Sequence, residues 1–379
     1  MNIQSTSNGV ERADSVDVLR GIAACLVVCT HLIPMVVSPL PNVFARWSPL
    51  RLFLNGHAAV IVFFVLSGFA LTCMLRGMRD QIYARYVAAR IARLYPAYIL
   101  SILYTLGVFA ALAAMGFQWE YGWMGTNKPW LSHDSAIGHA LMIGVFGMGD
   151  VNPVIWSLVY EMRLSILFPA ILWLVSRFGL RAVFCFVGVS VLYWLRYSKV
   201  PGTWPIVTPT ANILETFHYA TFFAAGSWIA LNLSRLRASF RALNAATRAV
   251  LIITAIALYT FAFDGSQTFS QRALSDLVAG VGAMILVIAS FDLPRNAAFG
   301  VGRWLGKISY SLYLTHVAAL NACVIALYPR AGGAVTAAAA IVLSLVVAAI
   351  FERFVEAPSI SLSRYIARRS LRKPSAVAG

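Results

Sequence analysis

Acidic residues are scarce in this chain: 14 Asp and Glu stand against 30 Lys and Arg over 379 residues. Charge of either sign is thin, 12% of residues, where a soluble globular protein carries about 25%. Long polar stretches are missing as well, and no gap between apolar segments could house a separate soluble domain. These shortages exclude an ordinary soluble fold. The five cysteines (Cys25, Cys29, Cys73, Cys185, Cys323) show neither a C-x-x-C nor a zinc-ligand spacing. They fall mostly inside apolar segments and read as packing residues, so no metal is expected. The N-terminus, MNIQSTSNGVERADS, lacks the short basic, apolar and cleavage-site pattern of a signal peptide. No internal repeat is visible, which withholds support from a transporter built on inverted repeats.

What the chain does have is apolar length. It is 60% hydrophobic, with a mean hydropathy of +0.76. The apolar runs are continuous rather than alternating, which points away from a β-barrel and toward an all-α, polytopic membrane helical bundle. The expected spans are 17–38, 57–76, 94–115, 154–176, 181–198, 211–233, 248–264, 272–291, 308–328 and 333–355, about ten transmembrane helices. A further apolar piece, 136–148, is too short to cross and reads as re-entrant or interfacial. The expected organisation is a cytoplasmic N-terminal tail (1–16), one membrane domain (17–358) and a basic cytoplasmic C-terminal tail (359–379).

The basic residues orient the bundle. With the N-terminus in the cytoplasm, 22 of the 30 Lys and Arg fall on cytoplasmic segments, 7 on the opposite loops, and Arg163 within a span. This positive-inside bias favours two cytoplasmic termini. It also accounts for most of the formal charge of +16 without a nucleic-acid partner. In the longest outside loop, 116–153, Trp119, Trp123 and Trp130 form either an interfacial aromatic belt or a platform for a sugar face.

Ionisable residues inside apolar segments are the candidates for chemistry. Arg20 and His31 are eleven residues apart in DVLRGIAACLVVCTHL. On an α-helix that is three turns plus about 20°, so both side chains share one stripe about 16 Å apart along the axis. Separately they read as a snorkelling arginine and a hydrogen-bonded histidine. Asp17, one turn before Arg20, can orient or pair with it. Pro34 interrupts helix bonding next to His31, and an imidazole suits general-base work near neutral pH.

Arg90 and Arg93 are three apart, hence neighbours on a helix face, and can bind phosphate oxygens with bidentate forks or simply obey the positive-inside rule. Ser67, in FFVLSGFAL, belongs to a Ser-Gly step that permits close packing or a kink. Ser157 and Glu161 share a face in WSLVYEMR, and Glu161 needs a partner or a cavity at that depth. Arg163 lies only two residues away from it and points elsewhere. Ser309, Tyr313 and His316 follow an i, i+4, i+7 stripe, which reads as an inter-helix hydrogen-bond seam or as part of a site.

The ordered set of DVLRGIAACLVVCTHL, FFVLSGFAL, RIARLYP, WSLVYEMRLSILFP, LGKISYSLYLTH and FERFVEAP, running from Asp17 to Pro358, resembles the acyltransferase 3 family of integral-membrane acyltransferases. The resemblance implies transfer of an acyl group, usually acetyl, from cytoplasmic acetyl-CoA to hydroxyls of surface glycans, lipid-linked saccharides or similar acceptors. It implies a bacterial cytoplasmic (inner) membrane location, with membrane lipids, acyl-CoA and a carbohydrate acceptor as partners. By this resemblance His31 matches the family's essential histidine and Arg20 the arginine that opens its Arg-to-His motif. Arg90 and Arg93 match its cytoplasmic, acyl-CoA-binding arginine pair, and Glu161 matches the glutamate of its tryptophan–serine–glutamate segment. Ser67 and Tyr313 lie in less diagnostic motif positions, assigned here to the donor side. A transporter or flippase of a glycosylated or acidic solute would also use intramembrane His, Arg and Glu, and stays open as the alternative.

Overall fold

The computed structural model describes residues 3–37, 48–78, 82–117, 133–142, 151–197, 209–262 and 269–368. Trp119, Trp123 and Trp130 lie outside these residues. The described residues form helices and no strand. In chain order the α-helices are α1 (Ile3–Val36), α2 (Gly56–Gly77), α3 (Tyr83–Ala114), α4 (His133–Leu141), α5 (Trp156–Phe178), α6 (Leu180–Tyr197), α7 (Pro209–Ala242), α8 (Ala245–Phe261), α9 (Phe269–Ser290), α10 (Ala297–Phe351) and α11 (Ala357–Arg368). A single π-helical turn, Glu352–Glu356, joins the last two.

Polar residues set the starts of these helices. Asn55, Asn244 and Asn296 cap α2, α8 and α10, their side-chain oxygens accepting from the backbone N–H of Ala58, Thr247 and Phe299. Each cap satisfies a donor that the first helical turn leaves orphaned. Pro34, Pro96, Pro169 and Pro329 sit inside helices, as bundles allow where neighbouring groups re-satisfy the freed backbone.

The all-helical class is confirmed, and each of the ten expected spans falls on a helix. The count of about ten is not confirmed. Six helices among the described residues are long and apolar enough to cross a membrane, and up to seven if α7 and α8 are taken as one span bent by 120°. The shortfall has local reasons. The spans 308–328 and 333–355 are two arms of α10, which breaks at Gly332 (φ 71°, ψ 176°), a conformation that glycine adopts without steric cost. Helix α8 has 17 residues, whereas a crossing takes about 20. Helix reaches into both expected tails: α1 begins at Ile3, and α11 runs to Arg368.

Two glycine seams set how closely the helices approach. Helix α1 lies along α10, where a Cβ on Gly306 would fall 1.9 Å from the Asp17 carbonyl oxygen and one on Gly21 2.7 Å from that of Gly302. Gly302 and Gly306 are four apart, the small-xxx-small spacing that lets membrane helices touch backbone to backbone. Helix α2 meets α7 the same way: a Cβ on Gly68 would fall 2.1 Å from the Phe223 oxygen, and one on Gly226 1.9 Å from the Val65 oxygen. The Ser67-Gly68 step therefore serves close packing rather than a kink. Helix α4, which overlaps the start of the 136–148 piece, docks on α3: Tyr95 donates to the Ala140 carbonyl at 2.6 Å and Tyr98 Oη lies 2.8 Å from His139 Nδ1.

Candidate active site

The α1–α10 seam places Asp17 and Arg20 at the wall of a cavity of about 670 Å³. Across it, α3 supplies Arg90 and Arg93, α2 supplies Ser67, α5 supplies Ser157 and Glu161, and α10 supplies Tyr313. Residues from five helices, scattered over nearly 300 positions of sequence (Asp17 to Tyr313), thus face one space. The π turn adds Glu352 and Glu356, and α11 adds Ser361 and Arg364. The volume lies in the range of small-molecule sites, about 300–1,000 Å³.

The cations of this cavity are held by carboxylates. Arg90 Nη2 lies 3.1 Å from Glu161 Oε1, and Arg90 Nε donates to Ser165 Oγ at 3.2 Å. Arg93 Nη2 lies 2.9 Å from Glu356 Oε1, and its guanidinium sits over the Tyr310 ring at 5.1 Å. Glu356 is itself fixed by the backbone N–H (3.2 Å) and hydroxyl (2.6 Å) of Ser311. Lys307 pairs with Glu352 at 3.2 Å. Arg93 Nη1 is buried and has no hydrogen-bond partner among the described residues. A buried guanidinium N–H without an acceptor is costly, so this atom marks where an anionic oxygen fits. Arg163 turns away from Glu161 and donates to Asn212 and Thr216.

His31 does not line the cavity. Its Nδ1 lies 2.9 Å from His316 Nε2, and the rings stack at 5.1 Å. The hydrogen bonds fix the tautomers. His316 Nδ1 lies 2.9 Å from the carbonyl oxygens of both Leu312 and Tyr313. A carbonyl only accepts, so this nitrogen carries a proton, and neutral His316 presents a bare Nε2. That nitrogen accepts from His31 Nδ1–H, which leaves Nε2 as the acceptor nitrogen of a neutral His31. The pair connects to the cavity through Tyr313, whose ring lies 6.1 Å from that of His316. Tyr313 Oη lies 2.8 Å from the Val154 carbonyl oxygen and 2.7 Å from Ser157 Oγ, which itself lies 3.3 Å from that carbonyl.

The polar stripe Ser309, Tyr313, His316 is therefore a seam whose members part ways. Ser309 back-bonds to Gly306 at 2.8 Å, Tyr313 reaches α5, and His316 reaches α1.

A family model described as an acyltransferase domain matches residues 14–353. The chain belongs to the acyltransferase 3 family. The match spans nearly the whole chain, from the turn before Asp17 to the start of the π turn, so the family's domain and the helical bundle are the same object. No curated protein and no solved structure matches the chain. Family and apolar helices together make it a multi-pass membrane acyltransferase.

Of the residues expected from sequence, Asp17, Arg20, Ser67, Arg90, Arg93, Glu161 and Tyr313 meet at this cavity, and His31 stands behind Tyr313. Glu352 and Glu356 were missed as site residues, although they stand four apart in FERFVEAP. Glu215 and Asp276 were missed altogether. Both lie inside segments expected to span, where an acidic residue is itself a signal. Glu215 accepts from the hydroxyls of Tyr160 and Tyr219, and Asp276 lies between His57 and His218.

Proposed function

We propose that this protein is a bacterial inner-membrane O-acyltransferase with both termini in the cytoplasm. It would move an acyl group, acetyl by family expectation, from cytoplasmic acyl-CoA to a hydroxyl of a cell-surface glycan or lipid-linked saccharide. The observation that carries this reading is the single cavity that has Arg20, Arg90 and Arg93 on its walls and leads through Tyr313 to a histidine of assigned tautomer. The residues fit an anionic, phosphate-bearing donor, since Arg93 Nη1 is a buried donor in want of an acceptor. Arg90 and Arg93 hold the donor's phosphates, and the thioester end extends toward Ser67 and Tyr313. Arg20 and Asp17 set the charge at the same mouth. His31 Nε2 then takes the acceptor's proton as a general base, or the acyl group itself as a transient carrier. Glu161, once its arginine engages the donor, is a carboxylate on the reaction side of the cavity.

The test is acylation in cells and with purified protein. His31→Ala lowers acyl transfer by at least about 10²–10⁴-fold, the scale of a lost acid–base catalyst, with membrane insertion unchanged. Retained transfer removes His31 from the mechanism. Arg90→Ala with Arg93→Ala raises the acyl-CoA requirement by about tenfold or more, the scale of lost charged hydrogen bonds. Unchanged donor dependence overturns that assignment. Solute transport without release of CoA would favour the transporter reading.

A further inference from the structure

The cavity changes character along its length. One wall is a stripe of α2, made of Val60, Phe63, Ser67, Leu71 and Met74, which stand three or four apart on one helix face. From Met74 to Val60 the stripe runs about 21 Å at the helical rise of 1.5 Å per residue. The stripe carries no charge, and the end of the cavity around Phe63 is apolar apart from the hydroxyls of Ser157 and Tyr313. The charged lining lies further along: Glu161 is one turn past Ser157 on α5, and Lys307 is six residues before Tyr313 on α10.

Two aromatic rings close the apolar end. Phe63 meets Tyr313 edge to face, centroids 5.9 Å apart and planes at 72°, a separation at which rings are in contact. Tyr313 is pinned through its hydroxyl, 2.8 Å from the Val154 carbonyl oxygen and 2.7 Å from Ser157 Oγ. Phe63 is held by packing alone. Behind it lies the apolar cluster that contains Val28 and Leu32, which flank His31 on α1. The ring thus stands between the cavity and the histidine. Nor can the wall that carries it retreat. Gly68, just past Phe63 on α2, lies against the α7 backbone, where a Cβ would fall 2.1 Å from the Phe223 oxygen. Phe64 is wedged on Tyr219 and Phe223, at 4.9 and 5.6 Å, and is 2% exposed, as a packing residue should be. Phe63 is only half-buried and presents ring surface to the cavity. With the backbone locked, the room at this end is set by the Phe63 side chain.

We infer that Phe63 is the residue that sets acyl-chain length, and that the donor is a thioester with a short unbranched chain, acetyl or propionyl. This rests on the acyl-transfer reading above. With the donor's phosphates at Arg90 and Arg93, the thioester arm runs along the α2 stripe and brings the acyl group to Phe63 and Tyr313. A short chain fits beside the two rings. Each further methylene has to push Phe63 off Tyr313, and a hydrophobic pocket discriminates about 10–200-fold per methylene. Phe63 touches the acyl group and takes no part in making or breaking a bond, so its substitution changes which donor is used rather than how the transfer is done.

Native membranes from cells expressing each variant supply both enzyme and acceptor, and membranes lacking the gene give the background. CoA release from acetyl-CoA, butyryl-CoA and hexanoyl-CoA yields the relative kcat/KM of each donor. Wild type is expected to prefer acetyl-CoA to butyryl-CoA by at least about tenfold, and Phe63→Ala to raise the butyryl-to-acetyl ratio by at least about tenfold. Phe63→Leu, a smaller change, is expected to fall between them. Met74→Ala trims the same stripe at its other end and should leave the ratio unchanged. A ratio that does not move in Phe63→Ala and Phe63→Leu overturns the inference, as does a wild type that takes butyryl-CoA as readily as acetyl-CoA. Equal loss on every donor, or absence of both variants from the membrane, would make Phe63 a packing residue of the bundle and overturns it too. If wild-type membranes release no more CoA from any donor than membranes lacking the gene, the acyl-transfer reading itself fails, an outcome distinct from an unmoved ratio.

Discussion

Two groups of carboxylates in this bundle solve the same problem in different ways. Each must keep charge inside a membrane protein. At the arginine-lined cavity the carboxylates meet basic side chains: Glu161 meets Arg90, Glu356 meets Arg93, Glu352 meets Lys307. Behind it the carboxylates meet imidazoles and phenols: Asp276 meets His57 and His218, Glu215 meets Tyr160 and Tyr219. A guanidinium cannot give up its proton in water, whereas an imidazole can near neutral pH. The first group is therefore held by side chains that keep their charge, and the second by side chains whose protons can exchange.

The α2–α7 seam breaks first. Gly226→Val puts a Cβ 1.9 Å from the Val65 carbonyl oxygen, a backbone atom that cannot step aside unless α2 and α7 part. We expect loss of folded protein by size-exclusion profile in detergent, beyond the ordinary overpacking cost of about 1–3 kcal/mol. Gly188→Val, at an α6 position with no atom near the new Cβ, is the control and should fold.

Next in size is a contrast within the arginine-lined cavity. Glu356 is buried and satisfies Arg93, the Ser311 N–H and the Ser311 hydroxyl together. Glu356→Ala strands all three and should lower stability by about 3 kcal/mol, the low end for a broken buried pair because Arg93 also faces the cavity. Glu161 is 22% exposed to that cavity, and Glu161→Ala should lower stability by about 1 kcal/mol or less. Transfer activity is expected to rank the other way, with Glu161→Ala losing more of the activity that remains per folded molecule. Equal thermal shifts in detergent would erase the distinction between a supporting and a reacting carboxylate.

How much of this was legible in the sequence follows from what each signal depends on. Apolar length gave the long helices their places, because a span needs only local composition, whereas α4 and α11 lie outside the expected spans. The number of crossings was less legible, since it turns on Gly332 and on the bend between α7 and α8, which composition does not report. Asp17, Arg20, Arg90, Arg93 and Glu161 could be named because an ionisable group in an apolar run is rare, but their partners could not. Arg90 and Glu161 are 71 residues apart, and Arg93 and Glu356 are 263 apart. Gly302 and Gly306, which bring Asp17 to its place, carry a spacing that was readable. The His31–His316 bond was not, for it joins two stripes that sequence leaves unpaired.

The smallest effect tests whether either group resembles an ordinary surface ion pair. Asp292 follows α9, outside the expected span, and takes Arg237 Nε at 2.9 Å and Arg241 Nη2 at 2.6 Å. Burial alone would raise its pKa, but the hydrogen bonds and charges of Arg241 and Arg237 outweigh it and hold the carboxyl below its ordinary 3.8. A depressed folded pKa contributes stability that is present above the unfolded pKa and is lost as pH falls through the folded one. Wild type should therefore be more thermostable than Asp292→Asn at pH 7, by about 1 kcal/mol or less because Arg241 is mostly exposed. The difference should shrink below about pH 4. Arg237 also donates to the Phe291 carbonyl at 2.7 Å, a bond that the substitution leaves in place. A difference that persists undiminished at pH 3 would mean that Asp292 acts through the shape of the α9–α10 turn rather than through its charge.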